Sequence, residues 1–394
     1  MEQTPFKSVF TKKCNFVTQS FDTDPLTIDY GGNAKFFIPR HGDFITRMYL
    51  LIDYDSINST RVNQAHAMLD YVSLIIGGTV IQQETGETLN MRLNLEGVDK
   101  DAFSVSQLYR MLGGGPGYDF TDVSQYPRPY RLQVPLQFWF NGKNELAIPL
   151  TALRYQEVEV EVGLRNALQW GGVDVGKNSS LVRIRVEYGY APKEVTDALI
   201  KKPLIFPTEQ FQMTEIEYTD SSNVFTVSPE FVNPVKAVFG LFIDTSTARD
   251  EPFNYSRNVT TGVGTSDFLN TMEVILDNEV LMPKEVGSYE MYRGFQFYSH
   301  FPGAPRLIQI FSDTYACFVY PLAFCLDPMN RAVPNGSINF STILNPIFNI
   351  DAKPYLGSTI KFRLYALSIN LLYIENGVSK LVFSGSNMAL PRFT

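Results

Sequence analysis

Apolar and polar residues alternate with period two along much of this chain. The clearest run is Glu157 to Val162, where Glu157, Glu159 and Glu161 alternate with Val158, Val160 and Val162. Period two places the valines on one face of a strand and the glutamates on the other. A strand with one wet face belongs to an antiparallel sandwich rather than to a parallel sheet buried on both sides. Helical signals are few. Ser104-x-x-Gln107 reads as a capping box opening a short helix through Met111-Leu112, and Ser288 as the cap of another through Phe295. The stretch Lys193 to Lys202 carries Val195 and Leu199 at i, i+4 and stops before Pro203.

The strand-like segments recur. Phe44 to Asp53 (FITRMYLLID) matches Val235 to Asp244 (VKAVFGLFID), and Val72 to Ile81 (VSLIIGGTVI) matches Met272 to Leu281 (MEVILDNEVL). Gly77-Gly78 and Asp277-Asn278 fall at the same place in that second pair, and both dipeptides suit the positive φ of a two-residue hairpin turn. Ile148 to Val160 then matches Ile338 to Ile350, and Val182 to Tyr188 (VRIRVEY) matches Ile360 to Ala366 (IKFRLYA). Four similar segments in one order, with spacing that drifts only through loop length, predict two copies of one β-domain. Many strands, long connections and few helices predict an all-β chain of jelly-roll domains. The expected boundaries are an N-terminal arm over 1–26, a first roll over 27–192, a linker with a short helix over 193–207, a second roll over 208–385 and a tail over 386–394.

Composition narrows the function classes. The 394 residues include 30 Phe and 21 Tyr, and only 19% are charged, against a usual share of about 25%. Rings and β-branched side chains fit half-buried pleated surfaces. The net charge of −8 argues against wrapping nucleic acid, which needs clustered Lys and Arg to displace counterions. The one small basic cluster is Lys7, Lys12 and Lys13, interleaved with Phe6 and Phe10. Three cysteines, Cys14, Cys317 and Cys325, lack the spacing of a zinc site or a disulfide framework. No apolar run approaches the ~20 residues of a membrane span, and the first residues lack the apolar stretch of a signal peptide.

The same segments resemble the major capsid proteins of nucleocytoplasmic large DNA viruses, the double jelly-roll family of iridoviruses and algal viruses. The resemblance rests on Ile38-Pro39-Arg40-His41-Gly42-Asp43, the Gly77-Gly78 hairpin, Val134 to Phe140 (VPLQFWF) and Leu146 to Val158. In the second half it rests on Asn233-Pro234-Val235-Lys236, Val319 to Phe324, Pro334 to Ser341 (PNGSINFS) and Phe362 to Ile374. It implies two tandem eight-stranded antiparallel rolls and a homotrimer of pseudo-sixfold outline that tiles an icosahedral virion shell around an internal membrane. It further implies neighbouring trimers, minor capsid and penton proteins and that membrane as partners, with assembly in the host cytoplasm. The chain departs from the family after Phe340, where Ser-Thr-Ile-Leu-Asn replaces a basic and then an acidic residue.

No catalytic, cofactor or metal residues are expected. Gly171-x-x-x-x-Gly176-Lys177 nearly spells a phosphate loop, but Asn178 stands where Ser or Thr must hold Mg²⁺, and a strand follows instead of a helix. His41, His66 and His300 share no helix. Among Asn-x-Ser/Thr sequons, Asn178, Asn254 and Asn258 sit in expected loops and are the candidate glycosylation sites. Phe6, Lys7, Phe10, Lys12 and Lys13 are the candidate inner-face contacts of the arm. The rival class is a carbohydrate-binding or carbohydrate-cleaving tandem sandwich, which needs exposed aromatics and convergent carboxylates. The chain has two Trp, and Trp139 falls in an apolar strand. A close variant of the leading reading is a scaffold that coats a nascent viral membrane and later leaves.

Overall fold

A computed structural model of the chain describes residues 16–28, 32–54, 63–96, 111–113, 130–141, 144–165, 182–218, 223–245, 253, 255, 257–258, 265–266, 268–286, 294–301, 319–331, 334–353 and 359–383. The first roll contains β1 (Val17–Thr23), β2 (Thr27–Ile28), β3 (Asn33–Phe37), β4 (Phe44–Tyr54), β5 (Leu69–Ile76), β6 (Thr79–Thr85), β7 (Tyr130–Pro135), β8 (Ile148–Pro149), β9 (Val158–Leu164) and β10 (Val182–Tyr190). Its two sheets run β1-β10-β4-β7, with β8 beside β4, and β2-β3-β9-β5-β6. Helix α1 (Gln64–Ala67) precedes β5, and α2 (Gly86–Glu96) follows β6.

Helix α3 (Lys193–Ile200) leads to the second roll: β11 (Leu204–Tyr218), β12 (Val224–Val227), β13 (Pro234–Asp244), β14 (Arg257–Asn258), β15 (Thr265–Ser266), β16 (Leu269–Leu276), β17 (Glu279–Val286), α4 (Gly294–His300), β18 (Tyr320–Ala323), β19 (Ile338–Asn339), β20 (Pro346–Ala352), β21 (Ile360–Glu375) and β22 (Val378–Leu381). The sheets run β11-β21-β13-β18 and β12-β20-β16-β17, with β19 beside β13 and β22 beside β21. Setting aside the two-residue β2, β8, β14, β15 and β19 and the added edge strand β22, each roll has eight strands among the described residues. Numbered within its roll, each domain has one sheet in the order 1-8-3-6 and the other in the order 2-7-4-5. All pairings are antiparallel. The two halves are therefore one fold used twice.

The repeats read from the sequence land on equivalent strands. The turn residues Gly77 and Gly78 have φ of 57° and 78°, and Asp277 and Asn278 have 49° and 69°. Both hairpins slip register at the same point, between Leu74 and Ile75 and between Val274 and Ile275. Each roll has a 3₁₀ turn just before its seventh strand, at Leu150–Ala152 and at Phe340–Thr342. In β9, Val158, Val160 and Val162 are buried while Glu159 and Glu161 are half-exposed.

Two boundaries differ from the expected ones. The span 1–26 was expected to precede the first roll, yet β1 at Val17–Thr23 is that roll's first strand and pairs along β10 from Tyr190 to Ile184. Its sequence VTQSFDT exposes residues on both faces, so it carries no alternation to read. The span 193–207 was expected to be linker, yet β11 begins at Leu204, which pairs with Ile374. The helix expected from Ser104 lies outside the described residues up to Met111, as does the one expected from Ser288 up to Gly294.

The cores interlock. Leu372 and Ile374 of β21 are buried in the first roll's core, where Leu204, Phe206 and Leu381 also pack. In return, Met91 and Leu95 of α2 are buried in the second roll's core.

Candidate functional site

The densest concentration of buried charge lies where the rolls meet, and α2 builds it. At its start Thr85 and Thr88 bond reciprocally: the Thr88 amide donates to the Thr85 hydroxyl at 3.1 Å and the Thr85 amide to the Thr88 hydroxyl at 2.8 Å. The pattern is a capping box with Thr in place of Glu. Gly86 follows because a Cβ there would meet the His66 carbonyl oxygen at 2.0 Å. The helix then carries Arg92, fully buried, into the joint.

Arg92 lies 2.8 Å from Glu209 on β11, 3.3 Å from Glu84 on β6 and 3.7 Å from Glu96. Its guanidinium stacks over the Phe211 ring at 4.8 Å. Lys236 on β13 donates to Glu209 at 2.6 Å and to the Asn330 carbonyl at 2.8 Å. Arg331 closes the cluster on Glu96 and on the side-chain oxygen of Gln137. Three carboxylates face three cations drawn from both rolls. Isolated charges in such a place would each cost several kcal/mol, so the cluster stands only when complete. Burial pushes the Glu209 carboxyl up, but Arg92, Lys236 and Arg331 together outweigh it and hold the group down at about 2. At Glu84 burial prevails over Arg92, and its affinity for a proton is raised.

Further hydrogen bonds cross the joint. Glu87, in the first turn of α2, accepts from Arg363 at 2.8 Å, from the Tyr365 hydroxyl, and from the Tyr255 hydroxyl at 3.2 Å. Gln156 accepts from the Ser379 amide at 2.5 Å and hydroxyl at 2.7 Å, while the Tyr155 amide donates to the Gly377 carbonyl at 3.1 Å. Beside the ion cluster, Gln210 on β11 donates to the Ile81 carbonyl on β6 at 2.8 Å. The sequence signal for this joint was a charge amid buried strand residues, Glu209 in FPTEQFQ and Lys236 in PVKAVFG, since such residues are rarely buried unless paired.

The motif Ile38 to Asp43 also proves structural. Arg40 donates to the carbonyls of Leu150, Leu153 and Gln156, pinning the 3₁₀ turn ahead of β9. His41 packs against Phe21 and Tyr188, with ring centroids 4.6 and 5.6 Å away. His66 is buried and desolvation lowers it to about 3. The Nδ1 of His300 lies 3.3 Å from the Leu326 carbonyl. Among the described residues no group of His, Cys, Asp and Glu is arranged to hold a metal, and no helix is long and apolar enough to cross a membrane. Cys325 is buried, with its thiol pushed up to about 11 by desolvation. Trp139 is core, 1% exposed, and offers no sugar platform. Phe6, Lys7, Phe10, Lys12, Lys13, Asn178 and Asn254 lie outside the described residues, as do the side chain of Asn258, Trp170, Cys14, Cys317 and the Gly171 to Lys177 loop.

This strand order, used twice and sharing a joint, defines a double jelly-roll protein. Residues 4–183 match the family described as "Major capsid protein N-terminus". Over 97% of its length the chain is 24% identical to the major capsid proteins of Pyramimonas orientalis virus and of Paramecium bursaria Chlorella virus 1, covering 94% of each. It is 30% identical to capsid protein 1 of Acanthamoeba polyphaga mimivirus over 270 residues, and there the match spans only 44% of the relative. Among solved structures, the Chlorella virus protein VP54 superposes with a TM-score of 0.75 at 21% identity, covering 97% of this chain and all of that one. The Faustovirus major capsid protein gives 0.75 at 12% identity, covering 95% and 93%. The first half of the chain thus matches the major capsid protein family, and the whole chain is similar to major capsid proteins of large DNA viruses.

Proposed function

We propose that this chain is a non-catalytic shell protein that forms pseudo-hexameric homotrimers tiling an icosahedral virion around an internal membrane. The observation that carries the reading is the doubled strand order held across a charge-complete joint. Two like rolls per chain and three chains per ring give six similar edges, and a hexagonal tile packs against its neighbours. Weaker contacts between tiles then allow errors in the lattice to be corrected.

Partners in this reading are the chain itself, minor capsid and penton proteins and the membrane, with assembly in the host cytoplasm. The residues ahead of β1 act as an arm on the inner face: Lys7, Lys12 and Lys13 meet anionic headgroups or acidic proteins, and Phe6 and Phe10 anchor in apolar pockets. Asn178, Asn254 and Asn258 are its candidate glycan acceptors. The test is the solution mass with negative-stain images. A particle of three times the 44.6 kDa chain mass with six lobes is expected, and a monomer across micromolar concentrations overturns the reading.

A further inference from the structure

We propose that the free edge at β17 in one copy docks on the free edge at β1 in the next, repeating between copies the joint made within one. The inference rests on the trimeric reading above and names the surfaces that close the ring. Within the chain, the joint sets β6, fifth strand of the first roll, against β11, first strand of the second. Among the described residues the same two positions stand at sheet edges, unpaired on one side: β17 is the fifth strand of the second roll and β1 the first strand of the first.

The pairing registers fix which residues correspond. Asp22 faces Arg185 as Glu215 faces Arg363, so β1 and β11 differ by 193 (215 − 22). Gln210 therefore corresponds to Val17 and Glu209 to Phe16. The shared slip in the two hairpins relates β6 to β17 by 200 (275 − 75), so Ile81 corresponds to Leu281 and Val80 to Val280. The contact of Gln210 with Ile81 thus maps onto Val17 of one copy and Leu281 of another.

These residues look unfinished. Gln210 is 3% and Ile81 0% exposed, whereas Val17 is 67% and Leu281 47% exposed, flanked by Phe16 at 53% and Val280 at 55%. Open strand edges bearing large apolar side chains invite pairing with another chain. Here the two edges are complementary, apolar to apolar, where the matching contact inside the chain is the Gln210 hydrogen bond to the Ile81 carbonyl. A contact between two different surfaces of identical copies runs head to tail and closes into a ring when its rotation permits.

The experiment measures the sedimentation mass of the full-length chain and of Val17→Lys, Leu281→Lys and the pair Val17→Lys/Leu281→Glu. Both sites are exposed in the single chain, so each variant should still fold and unfold in one cooperative transition. The expected result is a shift from three chain masses to one in each single variant, and return to three in the charge-matched pair. Single variants that stay trimeric overturn the β1–β17 contact and leave the tile standing, as does dissociation without rescue in the pair. A monomeric wild type overturns the tile itself.

Discussion

The strands β1 and β11 occupy the same position in their rolls, yet they live in different environments. Each pairs with the eighth strand of its roll and carries an acid facing that strand's arginine, Asp22 on Arg185 and Glu215 on Arg363. The middle of β11 is buried from Glu209 to Phe211 beneath the first roll, while β1 is exposed from Val17 to Ser20. The difference teaches that fold position sets the hydrogen-bond ladder and neighbours set the side chains. Where the neighbour belongs to the same chain, the strand carries Glu209 and Gln210, each with its partners in place.

The largest test of that contrast removes the buried cation. Arg92→Met leaves Glu84 and Glu209 short of a partner and should lower unfolding stability by about 3–5 kcal/mol, measured by urea denaturation. A loss under about 1 kcal/mol would show that the joint tolerates an open charge. A pH lever comes next. The His66 carbonyl lies close against Gly86 of α2, and burial lowers the His66 ring from 6.5 to about 3. The folded state therefore binds fewer protons than the unfolded one between these values, so its stability should fall as pH drops from 6.5 toward 3. The decline attributable to His66 is roughly 2–4 kcal/mol, at about 1.4 kcal/mol per unit of displacement and capped by local opening of the short α1. His66→Gln should flatten that slope, and an unchanged slope would place the titration elsewhere. Glu209, held at about 2, adds stability that is full above about 4.5 and lost as pH falls through 2.

The smallest test compares the two equivalent acids. Glu215→Gln, beside the mostly buried Arg363, should cost roughly 1–3 kcal/mol. Asp22→Asn, whose pair with Arg185 is 28% and 37% exposed, should cost under about 1 kcal/mol. Equal losses in thermal melts would mean that the joint adds nothing to the second pair.

Much of the fold was legible because its signals are local. The hairpin at Gly77-Gly78 announces itself by needing positive φ, and β9 by alternating Val with Glu. Helix α2 was not legible. It is buried on nearly every side, Glu87, Asn90 and Arg92 included, so the one-sided apolar stripe that betrays a surface helix is missing. The ion cluster was invisible for another reason: Arg92 and Glu209 stand 117 residues apart, and nothing in either segment names the other. β1 escaped notice because an uncovered edge strand with two wet faces reads like a tail.

The exchange of core residues has a consequence for synthesis. As the chain leaves the ribosome, the first roll emerges with α2 presenting Met91 and Leu95 to no partner, and its own core lacks Leu372 and Ile374, which close it. Those two plugs are made only after most of the second roll's strands. The nascent first half therefore exposes apolar surface throughout the making of the second, the interval in which a folding intermediate is prone to aggregate. Synthesis of β21, rather than completion of the first roll's own strands, is the event that lets that roll close.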